Sequence, residues 1–159
     1  KTSWTTDPST SGRMKRVART GTLPELAVRR ALRAHGIRFR SNLDRLPGTP
    51  DFGNEQERWV IFVHGCYWHR HPGCRRATIP IRNRGAWLQK FAANRARDRR
   101  VQRELRETGF TVLVIWECQC RNENTIIRRL LRVLAGEKRT RRPPRVPNQN
   151  LAGRGLGTH

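Results

Sequence analysis

Thirteen consecutive residues, Phe62-Val63-His64-Gly65-Cys66-Tyr67-Trp68-His69-Arg70-His71-Pro72-Gly73-Cys74, hold two cysteines, three histidines and an adjacent aromatic pair. Thiolate and imidazole are metal ligands, and neutral imidazole accepts protons near pH 7, so the cluster suggests a metal site, a catalytic site or both. Cys66, His71 and Cys74 can supply three ligands of a closed tetrahedral zinc site. Cys118 supplies the fourth, with Cys120 as its competitor two residues on. These intervals fit no common zinc finger, and unrelated buried thiols are the plainer alternative. His64 and His69 are left uncommitted. Asp51 follows Pro50 at the start of a strand, one strand away from His64. A carboxylate there can hold Mg²⁺, and a neutral histidine can take a proton from a water attacking phosphate. Taken alone, Asp51 reads as well as a turn residue, and each histidine as a surface imidazole.

The charge identifies what such a site would meet. Lys and Arg number 34 against 12 Asp and Glu in 159 residues, a formal net charge of +22. That excess repels itself unless a polyanion neutralises it, and nucleic acid is the default partner. Arg outnumbers Lys, which favours bidentate contacts to phosphate and guanine. No apolar run is long enough to span a membrane, and residues 1–20 contain no apolar core of a secretory signal. Four cysteines, two of them among histidines, fit metal ligation in a reducing compartment better than a disulfide frame. A cytoplasmic, nucleoid-associated protein is expected.

The elements that position these residues are legible in outline. Residues 1–21 form a basic arm. Thr22-Leu23-Pro24-Glu25 is a capping box opening a helix to about His35, closed by Gly36. Ile37 to Arg40 alternates as a short strand, and Asp51-Phe52-Gly53 begins a second. After a turn, Trp59 to Val63 is a buried strand. Asn83 is placed to cap a long helix through Trp87, Phe91 and Leu105, stopped by Gly109. Phe110 to Trp116 is apolar on both faces and is expected to be a central strand. Asn122 to Leu134 is an amphipathic helix with Ile126, Ile127, Leu130, Leu131 and Leu134 at helical spacing, ended by Gly136. A catalytic domain over 22–136 and a basic disordered tail over 137–159 follow. The order α-β-β-β-α-β-α is an α/β sandwich with a mixed sheet.

Four segments carry a resemblance. Leu46-Pro47-Gly48-Thr49-Pro50-Asp51-Phe52, Ile61 through His69, Asn94 through Arg97-Asp98, and Val114-Ile115-Trp116-Glu117-Cys118 resemble the very-short-patch-repair (Vsr) DNA mismatch endonucleases, in order and at similar spacing. The likeness runs from about Met14 to Leu134. It implies a restriction-endonuclease-like core that uses Mg²⁺ and a structural zinc. It implies nicking of duplex DNA 5′ of the T in a T:G mismatch, which starts repair of deaminated 5-methylcytosine, by a monomer that can contact other repair proteins. Carried over, Asp51 and the backbone carbonyl of Val63 are Mg²⁺ ligands. His69 is the general base, oriented by Asp98, and His64 paired with Glu25 assists at the phosphate. Cys66, His71, Cys74 and Cys118 hold zinc, leaving Cys120 spare. Tyr67 (more usually Phe), Trp68 and Trp87 form an aromatic wedge beside the mismatch. Met14 enters from the opposite groove, and Lys90 and Asn94 face DNA. Helical position alone would instead put Trp87, Phe91 and Leu88 in the core. Two other readings compete: a homing or defence nuclease with the same core and another target, and a zinc-containing DNA-binding module without catalysis. The basic tail matches no family segment.

Overall fold

The computed structural model describes residues 21–138, with side chains to residue 132. Met14, the arm before Gly21, the basic tail beyond 138 and the Leu134 side chain lie outside it. The described chain runs α1 (Leu23–Ala34), β1 (Arg40–Ser41), β2 (Phe52–Asn54), β3 (Trp59–His64), α2 (Arg84–Glu107), β4 (Thr111–Trp116), a 3₁₀ turn (Glu117–Arg121) and α3 (Glu123–Lys138). The order of helices and strands is the one expected. No described helix is long and apolar enough to cross a membrane.

The sheet is mixed, in the order β1-β2-β3-β4. β1 and β2 and then β2 and β3 pair antiparallel, whereas β3 and β4 pair parallel, with Val63 opposite Ile115 and His64 opposite Trp116. Parallel neighbours need a crossover, and α2 supplies it. Side chains alternate between the two faces. Trp59, Ile61, Leu113 and Ile115 meet Val28, Leu32, Ile126 and Leu130 from α1 and α3 in one core. Val60 and Phe62 meet Leu105 and Phe110 in a second, with Val101, Val112 and Val114 against it. His64 continues the even-numbered series, so the register turns it toward α2.

Several expectations are corrected. β4 is an edge strand among the described residues, not a central one. Its apolar character on both faces reports the helical layers above and below it, not strands on both sides. Only Arg40 and Ser41 pair as β1, while Ile37 and Phe39 pack against the first core from irregular chain. Asn83 stands before α2 with φ 55° and makes no side-chain cap; an N-cap needs extended backbone to aim its oxygen at the first amides. α3 runs past Gly136 to Lys138, since one interior glycine costs a helix only about 1 kcal/mol. Leu88 and Leu131 are exposed rather than core.

Candidate active site and metal centre

The catalytic candidates converge at one end of the sheet. Glu25, Asp51, Val63, His64, His69 and Asp98 line a single cavity of about 410 Å³. α1, the β2 entry, the end of β3, the loop after it and α2 each contribute. The Leu46–Pro50 loop closes one side through Gly48, which has φ 72° and lies so near Val101 that an added Cβ would meet its Cγ1 at 2.5 Å. A glycine is required there on both counts.

Asp51 Oδ2 accepts a 2.6 Å hydrogen bond from the Val63 amide. Burial, reinforced by the nearby Glu25 carboxylate, raises its carboxyl from 3.8 to about 6 despite that bond. His69 Nδ1 lies 2.5 Å from Asp98 Oδ2. Burial alone would raise Asp98, but the hydrogen bond and charge of His69, with His64 and Arg97, outweigh it and hold the carboxyl below its usual value. Asp98 is therefore ionised at neutral pH and accepts from Nδ1–H of His69. His64 stacks on His69, ring centroids 3.9 Å apart at 15°. Burial and the His69 charge lower His64 to about 4, so it is neutral at pH 7. His64, His69 and Asp98 also lie close enough to hold a metal ion. Near-parallel stacked rings, however, keep their in-plane lone pairs from converging on one point, and a hydrogen-bonded dyad describes them better.

The expected pairing of His64 with Glu25 is not made. Glu25 accepts from the Gly21 amide through Oε2 and from the Thr22 hydroxyl through Oε1, each at 2.8 Å. Its oxygens are committed to the start of its own helix, and it acts on the site through its charge on Asp51. Arg97 was missed by sequence reasoning. It lines the cavity and its charge reaches both His64 and Asp98. It ends the family-like segment beside Asp98, but in the run Arg95-Ala96-Arg97-Asp98-Arg99-Arg100 only the helical phase of Asp98 could have given it a place at the site.

A second cluster lies one loop away. The donor atoms of Cys66, His71, Cys74 and Cys118 all fall within 4.8 Å of one another. His71 Nδ1 is 3.3 Å from Cys118 Sγ and 3.6 Å from Cys66 Sγ. A tetrahedral ion with ordinary metal–sulfur and metal–nitrogen bonds separates such donors by about 3.6 Å, so the set can hold a metal. Cys120 points away, its Sγ 3.5 Å from the Trp116 carbonyl. Trp116 joins the two clusters: His71 stacks on it at 4.3 Å, and His64 meets its edge at 5.5 Å. Glu117 adds a tie, accepting from the Cys66 amide and pairing with Arg76 at 2.7 Å.

Tyr67, Trp68, Trp87 and Phe91 form an aromatic cluster where this loop meets α2. Trp87 is buried, at 5% exposure, while Tyr67 and Trp68 are half-buried. Lys90 Nζ sits 5.5 Å from both indole centroids. Asn94 donates to the Trp68 carbonyl at 3.2 Å and so pins the loop to the helix.

Comparison with known proteins identifies the family. The family described as DNA mismatch endonuclease Vsr matches residues 4–76. The type II nicking enzyme V.XorIIP of Xanthomonas oryzae is 42% identical over 121 residues, 76% of this chain and 88% of that protein. The type II nicking enzyme V.NmeAIP of Neisseria meningitidis is 39% identical over 71% of this chain and 80% of its own length. DNA mismatch endonuclease Vsr of Escherichia coli is 38% identical over 73% and 74% respectively. On these matches, this chain belongs to the Vsr family of DNA mismatch endonucleases.

Proposed function

We propose that the protein is a Mg²⁺-dependent, strand-specific endonuclease that nicks duplex DNA 5′ of the T in a T:G mismatch and so starts very short patch repair. The observation that carries it is the convergence of Asp51, His64 and the His69–Asp98 dyad on one cavity of a strongly basic protein. The restriction-endonuclease-like arrangement is supported by chemistry gathered at one end of a mixed sheet covered on both faces.

The donors suit a hard cation. A buried carboxylate held up to about 6 beside a second carboxylate is relieved by positive charge, and Asp51 with the Val63 carbonyl would hold Mg²⁺ through oxygen alone. When bound, the ion supplies charge stabilisation at the phosphate and acidifies a water. His69 takes a proton from the attacking water at Nε2 while Asp98 holds Nδ1–H and stabilises the imidazolium. As the water oxygen bonds to phosphorus, the P–O bond to the 3′ oxygen of the preceding sugar breaks, and that oxygen leaves with the bonding pair and takes a proton from solvent as a hydroxyl. His64 stays neutral and offers a hydrogen bond to a phosphate oxygen. Cys66, His71, Cys74 and Cys118 would hold a structural zinc, which would tie the loop carrying His69 to the end of β4. Tyr67 and Trp68, backed by the buried Trp87, form with Met14 from the arm the wedge that enters beside the mismatch. A T:G wobble unstacks at lower cost than a matched pair, and stacking on aromatics returns about 1–3 kcal/mol per base.

The test is nicking of a T:G duplex by the protein and by Asp51→Ala and His69→Ala, with Mg²⁺ or EDTA. Loss of nicking in both variants and in EDTA, at unchanged DNA affinity, is expected. Full activity in either variant would refute the assignment.

A further inference from the structure

The stacked His64 and His69 rings have a cavity on each side. Beyond the catalytic one lies a second, of about 340 Å³, which shares His64, His69, Asp98 and Gln102 with it and adds Arg95, Arg99 and Trp116. Helical phase explains the division. Asp98 points at His69 along the middle of α2; Arg97 falls on the catalytic flank, and Arg95 and Arg99, one turn apart, fall on the other. Arg70 also lines the second cavity, but its guanidinium is committed to the Ala77 and Thr78 carbonyls. Arg95 and Arg99 are exposed and have no ion pair or hydrogen bond among the described residues. Asp98, the cavity's carboxylate, is already held by His69. Two unneutralised guanidiniums one turn apart repel each other. Placed around a cavity, they form a fork suited to a phosphate.

We propose that this second cavity binds the phosphate adjacent to the scissile one on the same DNA strand, with Arg95 and Arg99 as its ligands. The inference rests on the nuclease reading and adds a subsite to it. Connectivity selects the neighbour. Successive phosphates of one strand are joined through a single sugar, and the two cavities share one wall, the stacked His64–His69 pair, which one sugar can bridge. Trp116 and Val114 give the cavity an apolar side against which the intervening sugar can lie. Holding both phosphates would seat the scissile one against His69, so Arg95 and Arg99 are positioning residues.

The experiment uses T:G duplexes with one uncharged methylphosphonate placed in turn at each phosphate around the nick, with the natural protein and Arg95→Ala/Arg99→Ala. For the natural protein, neutralising one neighbour of the scissile phosphate should lower kcat/KM about tenfold or more. The double variant should show a similar loss on unmodified DNA and no further loss with that methylphosphonate. Arg95→Lys/Arg99→Lys should recover part of the rate. Without Mg²⁺, the slope of log affinity against log salt should fall by about 0.9 in the alanine variant, as for one lost phosphate contact. A double variant as sensitive to the methylphosphonate as the natural protein, or an unchanged salt slope, would overturn the subsite. Nicking of unmodified DNA by the natural protein reports separately on the nuclease reading.

Discussion

Asp51 should be a stability defect that function requires, and Asp51→Asn should expose it. Its carboxyl is raised from 3.8 to about 6 by burial and by Glu25. A group with a raised folded pKa binds more protons folded than unfolded between those values, so stability falls as pH rises through them. At about 1.4 kcal/mol per pH unit, the ionised carboxylate costs the metal-free protein up to about 3 kcal/mol at pH 7.5. Asparagine cannot ionise, and its oxygen can still accept from the Val63 amide, which now sits 2.6 Å from Oδ2. Urea denaturation of the zinc-loaded protein without Mg²⁺ should therefore find Asp51→Asn more stable by up to about 3 kcal/mol at pH 7.5, or about 10 °C in thermal midpoint. The gain should shrink to about 1 kcal/mol at pH 4.5 and vanish below the unfolded value of 3.8. His64 also titrates in this window, but it is present in both proteins and cancels from the difference. Mg²⁺ at 100 times its Kd should stabilise the natural protein by about 2.7 kcal/mol and the variant hardly at all. A variant less stable at pH 7.5, or a difference independent of pH, would refute the electrostatic account of this cavity.

Three further outcomes follow from the same geometry. His69→Ala should lower kcat by about 10²–10⁴-fold with DNA affinity held, measured by single-turnover nicking and fluorescence anisotropy. Cys118→Ser should release bound metal and unfold or aggregate, because a structural site contributes folding free energy directly, while Cys120→Ser keeps one zinc per chain by atomic absorption; the reverse pattern would identify Cys120 as the ligand. Trp68→Ala should reduce the preference for T:G over T:A duplexes more than it weakens nonspecific binding at fixed salt, since every duplex offers the same phosphates and only the unstacking differs.

What the sequence revealed were features written in local chemistry. Thr22 and Glu25 mark the start of α1 because capping uses side chains three residues apart. The order of helices and strands followed from periodicity, and the Cys/His loop from composition. What it hid depends on neighbours distant in sequence. An apolar β4 looks the same with a strand on one side or two, because the flanking helices alone account for its burial. Glu25 could serve its cap or His64, and only the folded helix start shows both oxygens taken. Arg95, Arg97 and Arg99 look alike until the Asp98–His69 bond sets the phase of α2.

The most direct test of the mismatch reading is strand-resolved cleavage. Duplexes labelled separately on each strand and differing in one base pair, T:G or T:A, would be incubated with the protein and Mg²⁺ and resolved on a denaturing gel. The account predicts one cut, immediately 5′ of the mispaired T, on that strand alone and only in the T:G duplex. Equal cutting of the T:A duplex, or cutting of both strands, would contradict it and point to a nuclease of the same core with another target.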